Sequence, residues 1–248
     1  MIAEFPAIAV TLGILAVLLV SGTVKGSLGI GFPAVAMSIL PIFIDPALGV
    51  TLMALPIFVT NGYQFLSVKG WPAVVRQYWI AGLSVAVTIF LVVQFVAEVP
   101  SRVINILVGL SLVIFALAAL FKLDLKVSPH PGWQAVVGIS SGLIGGVSAV
   151  KAPIMIYTVA LKLPREQFIC LAGFLFFSGG LGLVGGTFTA ALLNGTTFLL
   201  SVAATVAALI GFQLGAAIRQ KLSDQVFRLA LLWIILFLGA RLIVVNVF

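Results

Sequence analysis

Cysteine, histidine and charged residues are scarce in this sequence. The 248-residue chain has one cysteine, Cys170, and one histidine, His130, which excludes an internal disulfide, a multi-thiolate metal site and a histidine cluster. Only 8% of the residues are charged, whereas a typical soluble domain has about 25%. So few charges cannot cover a soluble globule that is 62% hydrophobic. The sequence therefore predicts a membrane protein.

The charges that are present are mostly basic and widely dispersed. The 13 lysines and arginines exceed the six acidic residues and give a net charge of +7. They form no dense basic patch, so nucleic acid is not an expected partner. The acidic residues fall at or near predicted loops, which leaves no membrane-buried carboxylate pair for acid–base catalysis. There is no Walker-type loop either, and we expect neither a cofactor nor a metal.

Long apolar stretches fill most of the chain. A transmembrane helix needs about 20 apolar residues, and six stretches are predicted to span the membrane: 48–66, 77–96, 103–121, 168–190, 197–218 and 226–247. Two other apolar regions, 6–44 and 133–163, are too long for one span and are interrupted by glycine and proline. We interpret these two regions as interrupted or re-entrant helical hairpins.

The two interrupted regions also match each other. An offset of 120 residues aligns Ser21 with Ser141, Gly22 with Gly142, Gly26 with Gly146, and Pro33 with Pro153. The chain is therefore predicted to be a duplication, with repeats at 1–122 and 123–248. Each repeat of this all-α polytopic fold would consist of one hairpin and three transmembrane helices.

Basic loops predict the orientation of the repeats. If each hairpin enters and leaves on the same face, nine of the 13 basic residues fall on one side: Lys69, Arg76, Lys122, Lys126, Lys162, Arg165, Arg219, Lys221 and Arg228. The positive-inside rule makes that side cytoplasmic. The repeats then have inverted topology, and both termini lie on the periplasmic side of a bacterial inner membrane.

The two hairpins differ in arm length. Residues 133–147 and 152–163 would form helices of about 22 and 18 Å, shorter than the ~30 Å hydrocarbon core. This hairpin is predicted to be re-entrant, with its tip inside the membrane. The first hairpin has a longer leading arm, which leaves both a re-entrant and a fully spanning geometry open.

The hairpin tips carry most of the candidate substrate-binding residues. Interrupted helices at matching positions of two repeats indicate a transporter site. A helix that begins at such a tip presents free N–H groups and its positive dipole end to an anion. We expect these helices to begin near Phe32 and Ala152, with Pro33 and Pro153 in their first turns. The tip residues predicted to surround the ligand are Gly26, Gly29, Gly31, Gly145, Gly146 and Ser148.

Lys25 and Lys151 are the ionisable residues of the two tips. Ionisable residues inside a membrane are costly and indicate function, and neither tip contains an acidic residue. A small bound anion would supply the missing countercharge. The alternative is that the tips reach the interface and the lysines extend into the lipid headgroups.

Polar residues within the spans are further candidates for this site. Asn61 and Gln64 lie in the predicted 48–66 span, and Ser178 is the counterpart of Thr60 in the other repeat. These side chains would either contact a polar substrate or form interhelical hydrogen bonds.

Glycines spaced four residues apart indicate close helix packing. Four such pairs are present: Gly22 and Gly26, Gly138 and Gly142, Gly182 and Gly186, and Gly211 and Gly215.

The chain resembles the TauE/SafE family, also called the sulfite exporter or toluene-sulfonate uptake permease family. The resemblance covers essentially the whole length and rests on the duplicated architecture and two glycine-rich stretches, 26–31 and 138–153. Where the family's first motif continues with glycines, this chain has Phe32 and Pro33. The resemblance implies a bacterial inner-membrane permease for sulfite, sulfoacetate or another organosulfonate.

We therefore expect a secondary or facilitative transporter that alternates access to a site between the two tips. An anion channel and an intramembrane enzyme stay open as alternatives. The expected partners are the anionic substrate and membrane lipid, and the chain could also form a homo-oligomer.

Overall fold

The computed structural model describes residues 8–121, 126–218 and 224–247, and this part of the chain is all α-helical, without β-strands. In chain order, the helices are α1 Ile8–Leu28, α2 Phe32–Ile39, α3 Pro46–Leu52, α4 Ala54–Leu66, α5 Trp71–Val93, α6 Ser101–Leu120, α7 Pro131–Ser148, α8 Ala152–Ala160, α9 Arg165–Thr189, α10 Gly195–Ile218 and α11 Asp224–Val247. Some of the topology predictions concern residues outside the described part of the chain. These are the predictions for both termini, Lys122, Arg219, Lys221 and the Arg228 side chain.

Six segments among the described residues are long and apolar enough to cross a membrane: α1, α3 together with α4, α5, α6, α9 and α10. The protein is therefore a multi-pass membrane protein. The leading arm of the first hairpin is α1, whose 21 residues extend about 31 Å, the full thickness of a hydrocarbon core. Of the two geometries that the sequence leaves open for this hairpin, this length favours the fully spanning one. The apolar part of α11, Leu231–Val247, is shorter.

Several helices begin a few residues earlier in the chain than the apolar stretches predicted as spans. α5 begins at Trp71 rather than 77, and α9 begins at Arg165 rather than 168, because the polar first turns extend beyond the apolar core. α7 begins at Pro131, where the Nδ1 atom of His130 accepts a hydrogen bond from the Gly132 N–H at 3.1 Å. The second hairpin consequently has arms of 18 and nine residues, about 27 and 14 Å long, instead of the predicted 22 and 18 Å.

The predicted 48–66 span is divided into two helices at Met53. Pro56 has no N–H to donate to the carbonyl of Leu52, four residues earlier. The hydroxyl of Ser201 in α10 donates to this carbonyl at 2.9 Å instead. A side chain from another helix thus satisfies the acceptor that the proline leaves free.

A second interruption occurs inside α5, where Tyr78 has the non-helical angles φ −117° and ψ 18°. Gln134 of α7 lies next to this break, and its Nε2 atom donates to the Gln77 carbonyl at 2.9 Å. Its Oε1 atom accepts from the Ala81 N–H at 3.3 Å. A regular helix would join these two backbone groups directly, so the Gln134 amide replaces that bond and connects α7 to α5.

The four glycine pairs mediate close helix packing, which confirms that prediction. The glycines of α1 lie against the backbone of α10, and those of α10 lie against the backbone of α1. The pairs in α7 and α9 both lie against α5. A Cβ atom at Gly138 would be 2.9 Å from the Ala81 carbonyl oxygen, which a side chain cannot tolerate.

Helix contacts fall into corresponding sets. α1 packs against α10, and α7 packs against α5, while α4 packs against α9 and α6 against α11. The counterparts in the two predicted repeats are α1 and α7, α4 and α9, α5 and α10, and α6 and α11. When each helix is replaced by its counterpart, the α1–α10 contact becomes the α7–α5 contact, and the α4–α9 and α6–α11 contacts stay the same. The pattern accords with the predicted duplication, whereas the inverted orientation of the repeats stays a prediction.

α4 and α9 form the centre of the fold. The segments that contain them are the most buried of the six apolar ones. Phe58 of α4 stacks on Phe177 of α9 with ring centroids 4.9 Å apart. Gly173 and Gly180 of α9 allow α4 to approach closely, since a Cβ atom at either glycine would contact the α4 backbone. Thr60 and Asn61 of α4 lie beside the first hairpin tip, where they accept hydrogen bonds from Lys25.

Candidate functional site

Both hairpin tips form where the sequence predicted them. The helices that follow the tips begin at Phe32 and Ala152, each with a proline in its first turn. In the first tip, Gly29 and Gly31 have φ values of +82° and +103°, a left-handed conformation that favours glycine. In the second tip, Ala149 adopts φ +59°.

The first tip contains a lysine that is buried against α4. Lys25 is only 2% exposed. Its Nζ atom donates to Thr60 Oγ1 at 3.0 Å and to Asn61 Oδ1 at 2.6 Å. The ring of Phe212 in α10 lies 5.9 Å from Nζ and makes a cation–π contact. Lys25 therefore has neutral partners.

The α4 backbone fixes the orientation of both acceptors. Thr60 Oγ1 donates its own hydrogen to the Pro56 carbonyl at 2.6 Å, and Asn61 Nδ2 donates to the Ile57 carbonyl at 2.7 Å. Only oxygen lone pairs are then available to Lys25. An ammonium group has three N–H donors, and these two contacts leave one donor for a ligand.

The second lysine is enclosed more completely and is bound less well. Lys151 is fully buried, and its Nζ atom reaches the Ala149 carbonyl oxygen only at 3.5 Å. The Phe176 ring of α9 lies 5.2 Å away. Gly145 and Gly179 leave room for the lysine side chain, because Cβ atoms there would lie 2.8 Å from its Cγ and 2.5 Å from its Cε.

Lys25 and Lys151 are the buried basic residues of the part of the fold that the structure describes. Neither forms an ion pair with any residue that the structure describes. Both side chains are enclosed by protein. They therefore do not extend into the lipid headgroups, which was the alternative. Among the described residues there is also no group of three histidine, cysteine or acidic side chains that could hold a metal.

The other polar candidates lie near these lysines. Gln64 donates from Nε2 to the Ile169 carbonyl of α9 at 3.1 Å, while its buried Oε1 atom has no hydrogen-bond partner among the described residues. Ser178 precedes Gly179 on α9, and its Oγ atom faces Gly82 of α5. The structure thus brings Asn61 to Lys25, and it places Ser178 next to a residue that contacts Lys151.

Three predicted tip ligands have other roles in the structure. Gly26 lies against the α10 backbone, and Gly146 lies against Val92 of α5. The Ser148 hydroxyl donates to the Ile144 carbonyl at 2.8 Å and accepts from the Val150 N–H at 3.2 Å. The absence of a side chain serves helix packing at these glycines, and the serine stabilises the tip.

Some contacting residues were not identified from the sequence. The Ser141 hydroxyl accepts from the Ile154 N–H at 2.9 Å, which satisfies one of the free donors expected at the start of α8. The alignment of Ser141 with Ser21 pointed to this position without giving it a role. The rings of Phe176 and Phe212 carried no signal, because phenylalanine is common throughout the apolar helices.

Comparison with known proteins identifies one family. Residues 14–242 match the family model described as sulfite exporter TauE/SafE, so the resemblance seen in the sequence is confirmed. The match includes both hairpin tips and all the residues discussed above as site candidates. No curated protein and no solved structure matches the chain.

Proposed function

Because the chain belongs to the TauE/SafE family of sulfite exporters, we propose that it transports a small sulfur-containing anion across a bacterial inner membrane. Sulfite, sulfoacetate and other organosulfonates are the substrates that we consider. The observation that carries the proposal is the pair of buried lysines, Lys25 and Lys151, one in each tip and neither with a carboxylate partner among the described residues.

The physical reason is the cost of an uncompensated charge. A buried ammonium group that is not paired is strongly unfavourable, and an anion placed between the tips would offset the charge of both lysines. Lys25 has one free N–H donor, and Lys151 has only a long contact to a carbonyl. Sulfite and sulfonate oxygens accept charge-assisted hydrogen bonds from such donors.

Transport would use alternating access. The two hairpin tips, which belong to repeats proposed to be inverted with both termini periplasmic, would move relative to each other around the α4–α9 centre. The anion would bind between the tips in each state, and membrane lipid would surround the bundle. The proposal gives the chain no catalytic step, which agrees with a family of transporters.

A thermal-shift screen of the purified protein tests binding. The probes are sulfite, sulfate, sulfoacetate, taurine and matched carboxylates, since a ligand at 100 times its Kd stabilises by about 2.7 kcal/mol. We expect stabilisation by a sulfur anion in the wild type and in K126Q, where an exposed lysine is removed, but not in K25Q or K151Q. Wild-type binding in both tip variants would contradict the site, and stabilisation by carboxylates alone would contradict the substrate class.

Uptake into proteoliposomes then separates transport from the alternatives. We expect saturable uptake of radiolabelled sulfoacetate or sulfite. Flux that does not saturate, together with single-channel currents in planar bilayers, would indicate a channel. Formation of a chemical product by the detergent-purified protein, which has no second compartment, would indicate an enzyme.

A further inference from the structure

A cavity of about 330 Å³ adjoins the first hairpin tip. It lies between this tip, α6, α11 and the connection from α8 to α9. The tip contributes Ser27 and Gly31, and α9 contributes Phe168 and Ile169. Most of the lining is apolar, but Lys162 and Arg165 also belong to it. The cavity is therefore large enough for a small organic anion and has cationic groups in its wall.

The two charged residues in the lining of this cavity are both basic. Lys162 and Arg165 are exposed, and none of the lining residues is acidic. Glu166 lines a different cavity together with Lys69. Gly31 is the N-terminal flanking residue of α2, so the positive end of that helix lies at the cavity wall. These features together favour an anion as the occupant.

The cavity wall and the Lys25 site share two connections, through α1 and through Gln64. Ser27 follows Lys25 by two residues on α1. Ile169 accepts the hydrogen bond from Gln64, which lies one helical turn after Asn61, the partner of Lys25. The Gln64 Oε1 atom is buried there and has no partner among the described residues. The Gln64 side chain thus connects Ile169 of the cavity wall to α4, the helix whose Asn61 binds Lys25.

We propose that this cavity is the vestibule through which the anion reaches Lys25 from the face of the α8–α9 connection, and that Arg165 attracts the anion into it. The inference rests on the proposed function and adds the path and a positioning residue. An anion that moves from the vestibule to Lys25 displaces the Gln64–Ile169 contact. The freed Gln64 amide N–H can then donate to the anion.

The first test removes the charge of Arg165. Uptake of radiolabelled sulfoacetate is measured in vesicles that expose this face, for wild type, R165Q, R165K and the control R76Q, which removes another exposed arginine. We expect R165Q to raise KM about threefold to tenfold at low ionic strength with an unchanged maximal rate. High salt should remove the difference by screening, and R165K should resemble wild type.

The second test fills the vestibule. Ala119 of α6 lines the cavity, whereas the neighbouring Ala118 does not. We expect A119F to reduce uptake more than about tenfold, as a barrier increase of 1.4 kcal/mol does, and A118F to retain uptake. If A119F fails to fold, A119C in a C170A background is modified after purification with a bulky thiol reagent. The unmodified protein should transport, and the modified protein should not.

The outcomes separate the two proposals. A wild-type protein that neither binds nor transports these anions contradicts the proposed function itself. If wild type transports, but R165Q equals R76Q at every salt concentration and the blocked Ala119 variant is fully active, the vestibule is wrong and the proposed function stands.

Discussion

The ammonium of Lys25 lies 2.6 Å from the Oδ1 atom of Asn61, although the two residues are 36 positions apart and belong to α1 and α4. Asn61 also donates to the Ile57 carbonyl, which fixes its amide with the oxygen toward the lysine. The lysine is thus held by a neutral dipole, and no carboxylate among the described residues neutralises it.

Replacing Asn61 with aspartate is expected to weaken anion binding without unfolding the protein. N61D places a carboxylate beside Lys25 and forms an internal ion pair, which takes the place of the anion. We expect the affinity for sulfoacetate, measured by isothermal titration, to fall at least about tenfold, or 1.4 kcal/mol. N105D changes an asparagine that contacts Asn246 instead and should bind as wild type. Unchanged affinity in N61D would show that the Lys25 charge is not used.

Replacing Lys151 with methionine is expected to stabilise the empty protein. The side chain is fully buried without a good acceptor, and apolar replacement of buried charges is commonly neutral or stabilising by about 1–4 kcal/mol. K151M should therefore raise the apparent Tm but lose the shift produced by sulfoacetate. The same change at exposed Lys126 should alter neither quantity. A lower Tm with a retained ligand shift would contradict this role of Lys151.

An alanine at Gly179 is expected to displace the Lys151 ammonium. The added Cβ atom would lie 2.5 Å from Lys151 Cε, and the flexible side chain can move away at an overpacking cost of about 1–3 kcal/mol. We expect G179A to fold and to bind sulfoacetate more weakly. G195A is the matched control, because its Cβ atom would have no neighbour within 4 Å. Equal affinities in the two variants would argue against Lys151 as a ligand.

Removing the Ser201 hydroxyl is expected to destabilise the protein only while Pro56 is present. S201A leaves the Leu52 carbonyl without its donor, which costs about 1–3 kcal/mol. In a P56A background the backbone N–H gained at position 56 can donate to this carbonyl, so the cost of S201A should fall below about 0.5 kcal/mol. The free energies of unfolding of the four proteins measure this coupling. The same cost in both backgrounds would disprove it.

The positions of the tips could be predicted from the sequence because local rules determine them. Proline fits the first turn of a helix, so Pro33 and Pro153 located the starts of α2 and α8 within one residue. Pro56 carried a similar signal for the break at Met53 that the apolar pattern concealed. No proline or glycine marks the break at Tyr78, which depends on Gln134 from another helix.

The contacts within the site could be predicted only in part. Lys25 and Asn61 lie in apolar segments, so the sequence identified both as candidate substrate-binding residues. Their hydrogen bond depends on how α4 packs beside α1, and no local sequence pattern predicts that packing. Gly26 and Gly146 were ambiguous because glycine permits the close approach of either a ligand or a helix. At both positions the neighbour is a helix.

The glycines of α1 and α10 have a mechanical consequence. Where two backbones touch, no layer of side chains can change rotamers to let one helix slide past the other, so we expect α1 and α10 to move together as one unit. Gly138 and Gly142 impose the same condition on α7 and α5. Lys25 belongs to the first unit, and Lys151 adjoins the end of α7 in the second. The distance between the two ammonium groups therefore changes whenever one of these units moves relative to the other.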